Sequence, residues 1–168
     1  MDGPRGPANI RPFRFGVVVA PIHTATALQR TARAAAQYGY SILLAPDNMH
    51  LLSPLSSLAV AASAADIRVG TYVMSSPLRA PAVAAWEAHS LSVLTEGRFE
   101  LGIGAGLPTL GPALAALGIG FETAVQRIQR VEELIDRVRG ISDGVTCTSP
   151  WPPVARGCAG SPGASPTP

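Results

Sequence analysis

The sequence predicts an α/β fold with a parallel sheet, and three observations predict it. Short apolar runs alternate with segments of helical composition. The runs are apolar almost throughout rather than at every second residue. They begin at residues 13, 41, 68 and 99, a repeat of roughly 30 residues. Continuously apolar strands belong to sheets covered by other elements, and a helical crossover makes successive strands parallel.

The first strand spans 13–20 (FRFGVVVA), where valine favours extended backbone. Residues 26–38 follow with alanine, arginine and glutamine, all good helix formers, and Gly39 stands where the helix should stop. Residues 41–45 read as a second buried strand and 54–65 as a second helix opened by Pro54. The third strand is expected over 68–74, the third helix over 81–94 with Pro81 in its first turn, and the fourth strand over 99–103. A last helix is expected over 121–138, because Phe121, Val125, Ile128, Val131, Ile135 and Val138 recur three or four apart on one face.

Composition limits function. The 168 residues are 47% hydrophobic and 14% charged, the profile of one globular domain. A net charge of +2 without a basic stripe, with only 5% aromatic residues, offers neither a phosphate track nor a stacking platform, so nucleic acid is not an expected partner. No apolar run approaches the roughly 20 residues of a membrane span, and MDGPRGPANIRP lacks the apolar stretch of a secretory leader. A cytoplasmic product with no membrane partner is expected. Cys147 and Cys158 stand without a second ligand pair, so neither a zinc site nor a disulfide framework is expected. Every basic residue is arginine, and the wealth of Ala, Gly and Pro suggests a GC-rich bacterial genome.

Two architectures fit the repeat. A doubly wound sheet would place a phosphate loop after a strand, and LGIGAGL (101–107) with Glu122 downstream has that look. Its glycines, Gly102, Gly104 and Gly106, are spaced G-x-G-x-G, and Pro108 and Pro112 intervene before any helix. A (β/α)8 barrel explains the same repeat and gathers functional groups at the C-terminal ends of strands, where Asp47 sits. The pattern by itself leaves both open.

A resemblance separates them. PFRFGV, a strand ending in Asp47, and SPLSSLAVAASAADIRVGTYVMSSPLRAPAVAAWEAHSLSVLTEGRFELGIGAG together resemble the first half of the luciferase-like monooxygenase family, in particular its actinobacterial F420-dependent oxidoreductase branch. The likeness covers about 13–140 and is most specific in LTEGRFELGIGAG. It implies the first four βα units of a TIM barrel whose C-terminal mouth binds coenzyme F420, or alternatively FMN. It also implies hydride transfer to or from a small organic substrate, or oxygen activation with FMN.

Carried over residue by residue, Asp47 matches the family's strand-two aspartate beside the flavin ring. Asn48 stands where F420 enzymes commonly have histidine, and an amide is no general acid at neutral pH. His50 either reaches the same space as a catalytic group or is a surface-loop residue. Tyr72 and Val73 match a position where the family often has a non-prolyl cis peptide under the ring. Gly104 and Gly106 match the loop after strand four, where small residues let backbone approach a cofactor; close helix-on-strand packing is the other explanation. The family often carries a carboxylate near this loop, but 107–120 contains none. His23, past the first strand, is a candidate substrate contact, and His89 is expected to be structural. Arg98 and Glu100, at the bottom end of strand four, are expected to serve stability.

The expected organisation is a flexible 1–12, a luciferase-like domain over 13–140, and a disordered Pro/Gly/Ser-rich tail over 141–168. A complete barrel takes about 250 residues, so a truncated gene or lost reading frame is the expectation. A half barrel leaves the outer edges of strands one and four open, which points to a homodimer through those edges. The competing expectation is a catalytically inactive, truncated paralogue that at most binds or dimerises.

Overall fold

A computed structural model of the chain describes residues 13–20 and 24–141. Strands β1 (Gly16–Val18), β2 (Ile42–Ala45), β3 (Arg68–Thr71) and β5 (Phe99–Glu100) form one parallel sheet in the order β1-β2-β3-β5. Register is direct: Val17 faces Leu43, Leu43 faces Val69, and Val69 faces Phe99. Helices α1 (Ala25–Gln37), α2 (Pro54–Ala64) and α3 (Pro81–Leu94) make the crossovers, and α5 (Ala124–Ile141) packs against α3.

Side-chain alternation along the strands decides the architecture. Leu43, Ala45, Val69, Phe99 and Leu101 point to one face and join Ala32, Leu58, Ala61, Ala85 and Ala88 of the helices in a single core. Gly16, Ile42, Leu44, Gly70 and Glu100 occupy the opposite face. There Ile42 and Leu44 lie over Gly16 and Gly70, so closely that a Cβ on Gly16 would meet Ile42 Cγ2 at 2.9 Å. Helices thus cover one face only, which is the wall of a barrel and not a doubly wound sheet.

The helix ends follow sequence chemistry. The Thr24 hydroxyl caps α1 by accepting from the Ala27 N–H, and Gly39 ends it with φ 81°. Pro54 and Pro81 open α2 and α3, where a missing N–H costs nothing. Arg98 donates to the carbonyls of Ala62, Ala65 and Ile67 and so satisfies the end of α2.

Two expected strands differ from the single spans read in the sequence. The third breaks after Thr71 and resumes as β4 (Met74–Ser75), and the fourth breaks after Glu100 and resumes as β6 (Ile103–Gly104); β4 and β6 pair in parallel as a separate ladder. Between them the Tyr72–Val73 peptide is cis. The Thr71 hydroxyl bridges the break, donating to Gly102 O at 2.7 Å and accepting from Gly102 N at 2.9 Å. The last helix begins at Ala124 rather than 121, and its buried residues are Leu134 and Val138, while Phe121, Val125 and Ile128 are exposed. A short helix, α4 (Gly111–Ala116), lies where the sequence predicts no element, and it buries Leu114.

At the N-terminal end of the sheet, Glu100 is buried and receives Arg14 at 2.6 Å and Arg68 through its Nε. Burial opposes ionisation of Glu100, but the hydrogen bonds and charges of the two arginines outweigh it and hold the carboxyl below its usual range. This is the structural role expected of Glu100 from its position. The expected flexible 1–12 and Cys147 and Cys158 lie outside the described residues, as does the expected tail apart from Ile141, the last residue of α5.

Candidate functional site

A cleft of about 600 Å³ opens at the C-terminal ends of the strands. Asp47, Asn48, His50, Tyr72, Val73, Gly104 and Gly106, the sequence's candidate positions, all line it. His23 lies outside the described residues. Apolar side chains of Met49, Leu107 and Leu110 complete much of the wall, and no arginine borders it among the described residues.

Asp47 lies just past the end of β2, after Pro46, and its carboxylate is turned toward protein partners. Arg79 Nη1 donates to Oδ2 at 2.5 Å, Arg79 Nη2 to Oδ1 at 3.3 Å, and the Ser75 N–H to Oδ2 at 3.0 Å. The Asp47 side chain is 5% exposed and that of Arg79 17%. Arg79 Nε also lies 3.5 Å from a Glu87 carboxylate oxygen on α3. Asp47 is therefore a brace: it ties the end of β2 to β4 and to the turn beyond it. Arg130 of α5 reaches the Arg79 carbonyl at 3.5 Å and is itself paired with Glu122. Those hydrogen bonds from Arg130 hold the Glu122 carboxyl below its usual range, and Glu122 does not border the cleft.

Asn48 Oδ1 accepts from the His50 N–H at 2.9 Å, an Asx turn that sets the loop. The His50 side chain is exposed at the rim. Tyr72, 45% exposed, stands at the mouth. Gly104 faces Val73 so closely that a Cβ would meet Val73 Cγ2 at 2.6 Å. Its smallness thus serves strand packing against the cis peptide, not helix packing. Gly106 has φ 76°, a conformation that favours glycine.

Sequence reasoning missed Arg79 and Ser75. The signal for Arg79 was Asp47 itself, since a carboxylate at a buried strand end calls for a cation. Ser75 lines the cleft, is 7% exposed, and its hydroxyl has no hydrogen-bond partner among the described residues. His89, half-buried on α3, lies away from the cleft. No group of His, Cys, Asp and Glu able to hold a metal ion occurs among the described residues, and no helix among them is long and apolar enough to cross a membrane.

A sequence family described as luciferase-like monooxygenase matches residues 11–163. The fold is similar to that of the coenzyme F420-dependent tetrahydromethanopterin reductase from Methanopyrus kandleri, with 20% identity and a TM-score of 0.64 over 74% of this chain and 39% of that chain. Monooxygenase RslO1 from Streptomyces bottropensis gives 22% identity and a TM-score of 0.62 over 76% of this chain and 42% of that one. The oxygenating constituent of 3,6-diketocamphane monooxygenase from Pseudomonas putida, solved in complex with FMN, gives 21% and 0.60 over 74% of this chain and 38% of that one. The chain thus spans about two fifths of the length of these structures, and at such identities the likeness is one of fold.

Proposed function

This chain belongs to the luciferase-like monooxygenase family, and from that premise we propose that its cleft binds a flavin-type ring, F420 or alternatively FMN, in an oxidoreductase acting on a small organic substrate. The luciferase-like domain of this reading is 13–140. The observation that carries it is convergence: positions far apart in the chain, from Asp47 past the end of β2 to Gly106 past the end of β6, border one cleft.

The residues present fit such a group. Val73, Leu107 and Leu110 offer apolar walls for a flat ring, and the unpartnered Ser75 hydroxyl offers a polar contact. The glycines at 104 and 106 keep the wall thin. When bound, the ring supplies hydride transfer, and FMN also supplies oxygen activation. The chain's own part is to hold and orient. Asp47 and Arg79 fix the β4 end of the floor, and the Asx turn fixes the Asn48–His50 rim. In this reading His50, exposed at the rim, takes or gives a proton at the substrate, since imidazole does both.

A second reading is a cleft that binds the ring without proton transfer of its own. It is favoured by the engagement of the Asp47 carboxylate with Arg79 and by the amide at Asn48. The free edges of β1 and β5 among the described residues support the further proposal of a homodimer through sheet edges.

Thermal unfolding with and without cofactor tests the main reading. Ligand at 100 times its dissociation constant stabilises the folded state by about 2.7 kcal/mol, which raises the melting temperature by several degrees. An unchanged melting temperature with both F420 and FMN at high concentration would reject the cleft as their site. Ring reduction without any proton-dependent turnover would favour the second reading.

A further inference from the structure

Resting on the reading of the cleft as a ring site, we propose that the substrate sharing it is an uncharged, largely apolar organic molecule, held against Met49, Leu117 and their neighbours at the strand-to-helix turns. The distribution of charge carries the inference. Arg14, Asp66, Arg68, Glu96, Arg98 and Glu100 gather at the N-terminal ends of the strands or in the turns leading to them, the end opposite the cleft. The segments leading from strands to helices, 19–24, 46–53, 76–80 and 105–123, hold only Asp47, Arg79 and Glu122 as charged side chains besides histidine. Those charges are already engaged. Asp47 and Arg79 pair with each other, and Glu122 pairs with Arg130 away from the cleft.

Apolar surface stands where charge is missing. Residues 102–121 contain no charged side chain, yet Leu107 is 71% exposed and Leu117 51%, and Met49 is 45% exposed on the facing loop. The apolar wall also continues past the cleft. A second cavity of about 350 Å³ shares Asp47, Asn48 and Met49 with it and is walled by Leu51, Leu78 and Leu117. Arg79 borders this cavity too, held by Asp47 and facing Glu87. A joined apolar surface at a cleft mouth marks a place of contact, unlike apolar residues scattered singly.

A charged substrate set here would lose water without meeting a counter-ion, which costs more than its apolar part regains. A neutral one covers Met49 and Leu117 without that penalty. The class that fits has a hydrocarbon body and, at most, a neutral polar group.

The experiment first measures ring binding by fluorescence. It then titrates the protein, saturated with whichever ring it binds, with 1-octanol, octanoate and octylammonium at pH 8 by calorimetry. These probes share one chain and differ in charge. 1-Octanol is expected to bind about tenfold or more tighter than either ion. Met49→Arg, a change at an exposed position, is expected to weaken 1-octanol about threefold or more and to make octanoate the tighter ligand. Leu94→Arg, at a position 75% exposed on α3 that borders neither cavity, is expected to leave the ranking and the affinities unchanged. Octanoate or octylammonium bound as tightly as 1-octanol, or no probe bound by ring-saturated protein, overturns the inference while the ring site stands. An equal loss of 1-octanol binding in Leu94→Arg and Met49→Arg means adsorption to apolar surface at large and overturns it as well. Binding of neither ring by folded protein overturns the reading of the cleft, and with it the assignment of a substrate.

Discussion

Replacing Asp47 with alanine separates a brace from a ligand contact. The carboxylate is 5% exposed and accepts two bonds from Arg79 and one from the Ser75 N–H. Removing one partner of a buried ion pair ordinarily costs about 3–5 kcal/mol, because the other charge is left uncompensated. Here Arg79 is 17% exposed and retains Glu87 at 3.5 Å, which lowers the cost toward the bottom of that range, about 3 kcal/mol. Asp47→Asn keeps an oxygen for the Ser75 N–H and loses the charge, so its cost is about half as large. Urea unfolding of the three proteins with a common m-value reads these differences directly. A change below about 0.5 kcal/mol in Asp47→Ala, the level of an ordinary surface substitution, would refute the brace. Full stability combined with lost cofactor binding would show instead that Asp47 touches the ring, as its match to the family's aspartate implies.

Other expected outcomes follow from the same geometry. Gly102→Ala drives a Cβ into the Thr71 carbonyl oxygen, a backbone atom that cannot step aside, so destabilisation of about 3 kcal/mol is expected in denaturant unfolding. Arg98→Ala strips the donor from three carbonyls between the last turn of α2 and the start of β3 and is expected to cost about 1.5–3 kcal/mol, read as a lower urea midpoint. Glu100 titrates below its usual value of 4.5 in the folded state, so the unfolded chain takes up its proton first as pH falls. Its contribution is complete above that usual value and is lost as pH drops through the lower, folded one; Glu100→Gln is expected to flatten this acid limb of the stability curve.

Much of the fold was legible because each element carries its own local signal. α3 occupies 81–94 as Pro81 and the apolar composition indicated, and Gly39 ends α1 as its conformational freedom suggested. The sheet's one-sidedness was not legible, since an all-apolar strand reads alike whether helices cover one face or two. The breaks after Thr71 and Glu100 were also hidden: a cis peptide between tyrosine and valine has no composition of its own, and the Thr71 hydroxyl that repairs the ladder acts across 31 residues. α4 was missed because Gly111 and Pro112 read as loop, although proline in a first turn opens helices as readily as it ends them. For α5 the period was right and the burial was not, because the described partners reach Leu134 and Val138 but leave Val125 and Ile128 exposed.

The candidate site was legible through resemblance at the level of position, and through the structure at the level of role. Residue matching brought Asp47, Val73 and Gly106 to one cleft. It could not reveal that Arg79, 32 residues away, occupies the Asp47 carboxylate, or that the serine next in line holds the unpartnered hydroxyl. Both are long-range facts, set by which strand ends meet.

Equilibrium titration of the folded protein with F420, and separately with FMN, followed by ligand fluorescence, tests the central claim most directly. Saturable binding of F420, or of FMN in its place, is the expected result. Protein that shows cooperative unfolding yet perturbs neither ligand at any concentration would contradict a flavin-type site in this cleft.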